Sequence, residues 1–171
     1  MELIETLIQK LNEGLPGPEA QLKMAPPHRK MQLQVPDNVL LGGVMVLLLP
    51  GEKEWDTLLI RRTEDGRTHS GQISFPGGKY DPVDLDMRAT ALRECEEEIG
   101  IKRTSIQVLG TLTPLYIPPS NFLVTPTLGY LDHRPLFRPS EREVQEIIQL
   151  PLSVIFHPSN KVTREIKRGG Q

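Results

Sequence analysis

The chain has 171 residues, a formal net charge of −2 and a single cysteine, with 25% charged and 37% hydrophobic residues. That length suits one domain with a substantial core, the near-neutral charge gives no polyanion-binding signature and so no expectation of a nucleic-acid partner, and a lone Cys95 excludes an internal disulfide framework. The longest apolar stretch, Val39 to Leu49, contains Gly42 and Gly43 and ends at Pro50, short of the roughly 20 residues a membrane helix needs; Glu2 and Glu5 interrupt the start where a secretory leader would be apolar, so a cytoplasmic protein with no membrane partner is expected.

In chain order, Leu3, Ile4, Leu7, Ile8 and Leu11 recur at helical spacing and stop at Gly14, which predicts an amphipathic helix whose stripe packs on the domain. Leu15 to Lys30, with Pro16, Pro18, Pro26 and Pro27, reads as a surface connector. Residues 1–30 thus form a helix and connector ahead of a domain at 31–165. Val44 to Leu49 reads as a buried strand, Thr57 to Arg61 as a second, and Gln72 to Phe75 as a short third entering a Gly77–Gly78 turn. A helix follows at about Arg88 to Ile99. Ile106 to Tyr116 and Phe122 to Tyr130 read as strands joined through Pro118, Pro119, Ser120 and Asn121, and Glu143 to Ile155 mixes a strand with a short helix. Residues 166–171 lack apolar periodicity and are expected to be a disordered tail. The alternation of strands with a central helix points to an α/β layered domain.

The central helix carries the chemistry. At about 100° per residue, Glu94, Glu97 and Glu98 share roughly one third of its circumference, while Leu92, Cys95 and Ile99 lie on the far side. Cys95 is therefore read as core. Like charges at i, i+3 and i+4 cost on the order of 0.2–0.5 kcal/mol per pair, so a compensating hard divalent cation suits the cluster; a solvated acidic face is the other reading, and Glu96 fits it. Glu94 and Glu98, one turn apart, are the preferred pair of direct ligands, with Glu97 as a third ligand or a water-holding group. Arg93 and Glu97 stand at i, i+4, so Arg93 is expected to hold a glutamate in place. Gly77 and Gly78 permit close backbone approach, and amides at such a turn suit phosphate, although Pro-Gly-Gly alone is usually only a turn. Arg61, Arg62 and Arg67 offer fork-like donors for phosphate; on a strand, Arg61 and Arg62 point to opposite faces and do not serve one ligand. His69 is given no role.

The run Arg93, Glu94, Cys95, any residue, Glu97, Glu98, any residue, Gly100, Ile101 resembles the second half of the Nudix box. The first half departs from that pattern: its glycine would fall on Lys79, so Gly78 implies one inserted residue, and the first acid is Asp84 instead of Glu. Leu58, Leu59, Arg62, Thr63, Arg67, Gly71 and Phe75-Pro76-Gly77-Gly78 resemble the signature of the coenzyme A diphosphatase subgroup, whose members commonly carry the longer spacing and an Asp.

That resemblance implies a mixed β-sheet sandwiched between α-helices. It also implies a strand and helix beyond the Val162 region; the chain stops at Gln171, so these two elements are expected to be missing, by truncation or because another surface, such as a second copy in a homodimer, covers that sheet face. It implies Mg²⁺ or Mn²⁺ as cofactor, a backbone carbonyl near Gly77 or Gly78 completing the coordination, and Arg62 and Arg67 as the arginines that meet substrate. The small-molecule substrate implied is coenzyme A or acyl-CoA, cleaved to adenosine 3′,5′-bisphosphate and (acyl) 4′-phosphopantetheine. ADP-ribose, dinucleotides or oxidised nucleotides are the alternative substrates, and a non-catalytic binding module is the alternative role. The general base stays open between the box carboxylates and the later acids Glu143 and Glu146, which also read as exposed strand-face acids.

Overall fold

The computed structural model describes residues 2–23, 35–64 and 71–162. The predicted tail at 166–171, together with Arg67 and His69, lies outside them. Among the described residues eight strands form one mixed sheet. Its centre is β1 (Leu40–Pro50), which runs parallel to β7 (Phe122–Tyr130) over nine residues, from Leu40 opposite Phe122 to Leu48 opposite Tyr130. The other edge of β1 is shared by two antiparallel partners. Leu48 to Pro50 pair with β2 (Trp55–Arg62), and Gly42 to Val44 pair with β4 (Gly77–Lys79).

Beyond their hairpin β1 and β2 diverge, and the wedge between them is filled by the chain crossing from one to the other. β3 (Ile73–Ser74) pairs with Ile60 and Arg61 of β2, Pro76 O accepts from Met45 N at 2.8 Å, and β4 then joins β1. Gly77 and Gly78, expected in a turn, are therefore ladder residues. The outer edge of β2 pairs with β8 (Val144–Pro151), with a register shift between Arg61 and Arg62.

The expected single strand at Ile106–Tyr116 is two. β5 (Gln107–Thr111) and β6 (Leu115–Ile117) share the outer edge of β7, changing over near Pro126. Pro114 has no N–H to continue a ladder, and Leu112 N turns inward to Pro126 O at 2.8 Å. The Pro-rich connector also departs from expectation, because Gly17–Leu22 forms a short helix, α2, tethered by Gln21 Nε2 to Thr113 O at 2.8 Å.

Alternation along β1 distributes its side chains to the two faces. Met45, Leu47 and Leu49 meet α3 (Met87–Ile99) through Ala91, Cys95 and Ile99, all fully buried at i, i+4 and i+8. Burial of a side chain such as Ile99 contributes about 1.5–3 kcal/mol. Burial also pushes the Cys95 thiol up to about 12, so it stays protonated as a core residue. On the opposite face Val46 and Leu48 join Leu109, Leu128 and Tyr130 under Ile4, Leu7 and Leu11 of α1 (Glu2–Glu13). The apolar stripe of the N-terminal helix thus packs on this face, as its spacing predicts, and the sheet lies between helices. The short α4 (Leu152–Phe156) follows β8. Among the described residues no helix is long and apolar enough to cross a membrane.

Candidate active site

The loop between β4 and α3 and the first turns of α3 are tied together by one carboxylate. Asp86 caps α3, its Oδ1 accepting from Ala89 N at 2.9 Å. Two residues earlier, Asp84 accepts from Thr90 Oγ1 at 2.9 Å and from Arg93 Nε at 3.0 Å and Nη2 at 3.0 Å. The Arg93 guanidinium holds the Asp84 carboxyl down at about 2, and Asp84 and its neighbours push Arg93 further above its ordinary range. Arg93 then fans out along the helix, Nη1 reaching Glu94 Oε1 at 2.9 Å and Glu97 Oε2 at 3.1 Å, while Nη2 also meets Lys79 O at 3.1 Å. Its role in this geometry is a hub for three acids and the end of β4.

Glu98 does not lie on a solvated face. Its side chain is 1% exposed, inserted between α3 and the wedge of the sheet. Oε2 accepts from Gly77 N at 2.8 Å, and Oε1 accepts from Arg62 Nη1 at 3.1 Å. The Gly77 amide, expected to face phosphate, is thereby engaged with the helix carboxylate. Gly77 needs to be glycine, because its φ of +156° would bring a Cβ to 2.4 Å from Gly43 O. At Gly78 a Cβ would meet Glu94 Oε1 at 2.4 Å, so the missing side chain is the space that Glu94 occupies.

Arg61 and Arg62 separate as strand neighbours must. Arg61 Nε meets Glu146 Oε2 at 3.0 Å on the exposed surface, and Arg62 faces Glu98. Glu143, at the entry to β8, is exposed, yet its charge reaches both Glu94 and Glu98. Burial is the first cause raising Glu98, to about 7, with Glu94 and Glu143 adding repulsion against the lowering by Gly77 N and Arg62. Glu94 is also raised, mainly by burial.

This donor set fits a hard divalent cation. Carboxylate oxygens on two adjacent turns, partly or wholly withdrawn from water and raising one another, carry more negative charge than Arg62 and Arg93 balance, and a small dication is the chemistry that relieves it. Among the described residues no three acids converge into a ready-made cage, because Glu97 is held by Arg93 and both oxygens of Glu98 are engaged. A cavity of about 340 Å³ at the far end of α3, lined by Ile101, Lys102, Leu131 and Arg134, shares none of these residues.

The fold and this constellation define a Nudix domain, and residues 40–165 match the NUDIX domain family. The chain belongs to the Nudix hydrolase family. Its relatives include peroxisomal coenzyme A diphosphatase NUDT7 of Mus musculus, 37% identical over 129 residues, which are 75% of this chain and 54% of that protein. An uncharacterized Nudix hydrolase NudL of Photorhabdus laumondii subsp. laumondii is 37% identical over 151 residues, covering 88% of this chain and 78% of that one. The chain therefore spans about half the length of the mouse relative and a larger share of the bacterial one. Solved structures agree on the fold. A C. elegans Ap4A hydrolase binary complex gives a TM-score of 0.57 at 19% identity over 72% of this chain and 88% of that chain. The NUDIX domain of Shewanella oneidensis NrtR with ADP ribose gives 0.55 at 18% identity over 81% and 85%.

What sequence reasoning missed is the partner of Asp84. The inserted residue and the Asp stand out in the sequence as departures from the box, but nothing local tells that this carboxylate reaches nine positions ahead to Arg93. The burial of Glu98 was also invisible, because helical periodicity places a side chain on a face without saying what that face meets.

Proposed function

We propose that the protein hydrolyses the phosphoanhydride of a nucleoside diphosphate derivative, with coenzyme A or acyl-CoA as the substrate class. The observation that carries the reaction class is the Glu98 carboxylate, buried against the Gly77 amide beside Glu94 with too little positive charge around it. Glu94 and Glu98, with Glu97 beside them, would hold Mg²⁺ or Mn²⁺. Bound there, the ion supplies charge neutralisation on the diphosphate and a lower pKa for the attacking water.

The chain's own groups do the rest. Arg93 fixes Glu94 and Glu97 relative to Asp84, so the acidic turn keeps its shape when a charged ligand arrives. Arg62, about one third exposed and already in the site, offers its remaining N–H donors to a phosphate oxygen. Arg67 is proposed as a second phosphate donor from its place in the subgroup signature. Gly78, having no side chain, leaves the space that the Glu94 carboxylate occupies. The enzyme is proposed to be cytoplasmic, in keeping with its lone buried cysteine.

Substrate choice rests on the signature from Leu58 to Gly78 and on the coenzyme A diphosphatase named among the relatives. Phosphorus NMR of CoA incubated with the protein and Mg²⁺ tests both levels. The expected products are adenosine 3′,5′-bisphosphate and 4′-phosphopantetheine. Paired kinetics on ADP-ribose discriminate the nearest alternative: turnover of ADP-ribose far more efficient than that of CoA removes the substrate assignment and keeps the reaction class.

A further inference from the structure

We propose that the cleft at the C-terminal end of α3 is a second ligand site, which takes a small molecule joining a phosphate group to an apolar body. The cleft has a volume of about 340 Å³ and shares no residue with the carboxylate cluster. Its occupant is therefore a different molecule from the one hydrolysed there.

Two stretches of chain build the walls. Gly100, the left-handed cap of α3 with φ +74°, turns the backbone out of the helix. Lys102 and Ser105 follow at the two ends of one 3₁₀ turn, Ser105 N donating to Lys102 O at 2.9 Å. Opposite them, the chain leaving β7 is tied twice to the end of β1: Leu131 N donates to Leu48 O at 2.9 Å, and Arg134 Nε to Pro50 O at 2.9 Å. Ile101 and Leu131 belong to the core under α3, 4% and 0% exposed, so the apolar lining they supply is fixed. Leu136, 90% exposed, adds an apolar side chain that nothing in the fold requires there.

The charges select an anion. Lys102, His133 and Arg134 line the cleft, in a chain whose net charge is −2. The acids of this region already have partners: Asp132 meets His133 Nδ1 at 2.6 Å, and Glu96 meets Arg103 Nε at 2.6 Å. Among the described residues no acid pairs with the Lys102 ammonium or with the Arg134 guanidinium, whose Nε alone is engaged. Arg61, Arg88 and Arg93 each have a carboxylate partner. A lone exposed cation is satisfied by water, but two that line one concavity with an apolar floor form the usual composition of a small-molecule site. The free Nη fork of Arg134 and the ammonium of Lys102 suit the several terminal oxygens of a phosphate monoester, and Ile101, Leu131 and Leu136 suit the body that carries it.

The test is a titration of the full chain, with Mg²⁺ present, by phenyl phosphate and separately by phenol, followed through backbone amide NMR shifts. Phenyl phosphate is expected to shift the amides of Lys102, Ser105, Leu131 and Arg134, and phenol to bind more weakly. Lys102→Ala and Arg134→Ala should each weaken phenyl phosphate at this site at least about 10-fold, with CoA hydrolysis by Lys102→Ala unchanged. Shifts confined to Gly77, Gly78 and Glu98 place the ligand in the carboxylate cluster and overturn the proposal. So does equal binding of phenol, which leaves no role for the cations, and so does unchanged affinity in both variants. A fall in CoA hydrolysis in Lys102→Ala overturns it too, because the cleft then belongs to the substrate. A wild type that hydrolyses neither CoA nor ADP-ribose sinks the hydrolytic reading alone, since the titration reads binding without turnover.

Discussion

Arg62 Nη1 stands 3.1 Å from Glu98 Oε1, and this contact joins the last residue of one sheet strand to the penultimate residue of the acidic helix. The guanidinium is the cation in contact with a carboxylate that is otherwise withdrawn from water. Any divalent ion that binds Glu98 must therefore contend with Arg62 as well as with protons.

The proton side of that competition has a definite sign. Glu98 is raised from its ordinary 4.5 to about 7, so the folded state binds the proton more tightly than the unfolded one. Its contribution to metal-free stability is fully present below pH 4.5 and is lost as pH rises through 7, on the order of 3 kcal/mol across that window. Thermal melts without metal between pH 4.5 and 8 should show this falling component in the wild type and a flatter profile in Glu98→Gln. Identical profiles would remove the burial argument.

Metal should restore what ionisation takes away. Adding Mg²⁺ or Mn²⁺ at pH 8 is expected to raise the melting temperature of the wild type, and the rise should shrink as pH drops below 7. In Glu98→Gln and Glu94→Gln the rise should be small at every pH, with hydrolysis reduced at least about 10²-fold. Full metal-induced stabilisation in both variants would place the ion elsewhere.

Removing the hub should be costly for the fold. Arg93 is 15% exposed and its partner Asp84 4%, so Arg93→Ala leaves a buried carboxylate unpaired. A loss of about 3–5 kcal/mol is expected in denaturant unfolding. Asp84 alone, lowered from 3.8 to about 2, contributes stability present above pH 3.8 and lost as pH falls through 2. Asp84→Asn should remove that acid-side loss, and a double-mutant cycle of Arg93 and Asp84 should show coupling above about 1 kcal/mol.

Gly78→Ala separates architecture from chemistry. The added methyl meets the end of a side chain, Glu94, not backbone, so Glu94 can swing aside and the chain should still fold. Melting temperature close to wild type with hydrolysis reduced about 10-fold or more is the expected result. Gly77→Ala meets Gly43 O and the Val44 backbone instead, and it should lower stability as well as rate.

The α1 cover should respond as core does. Ile4, 3% exposed over Leu48 and Leu128, should cost about 2–5 kcal/mol on replacement by Ala, with kcat retained in the folded fraction. Urea unfolding followed at Trp55, which packs in the same cluster, measures this directly.

Much of this architecture could be read from the residues alone, and the reasons differ by element. α3 was legible from apolar spacing, and its ends match Asp86 and Gly100 as cap residues. β7 was legible because Phe122 to Tyr130 is bounded by turn residues. β4 was not, since Gly77 and Gly78 carry turn propensity and only the long-range partner β1 makes them a strand. The break before β6 depends on Pro126 of another strand taking the Leu112 amide. The acids of the helix were found by spacing, but their depth and their arginine partners are properties of packing, which no local pattern encodes.

The crossing of residues 73–79 between β2 and β1 sets Gly77, and through it Glu98, on a segment paired to strands on both sides. Chemistry mounted on such a girder is insulated from its periphery. Surface segments that lengthen, shorten or change composition leave this frame, and the Gly77–Glu98 contact it carries, in place.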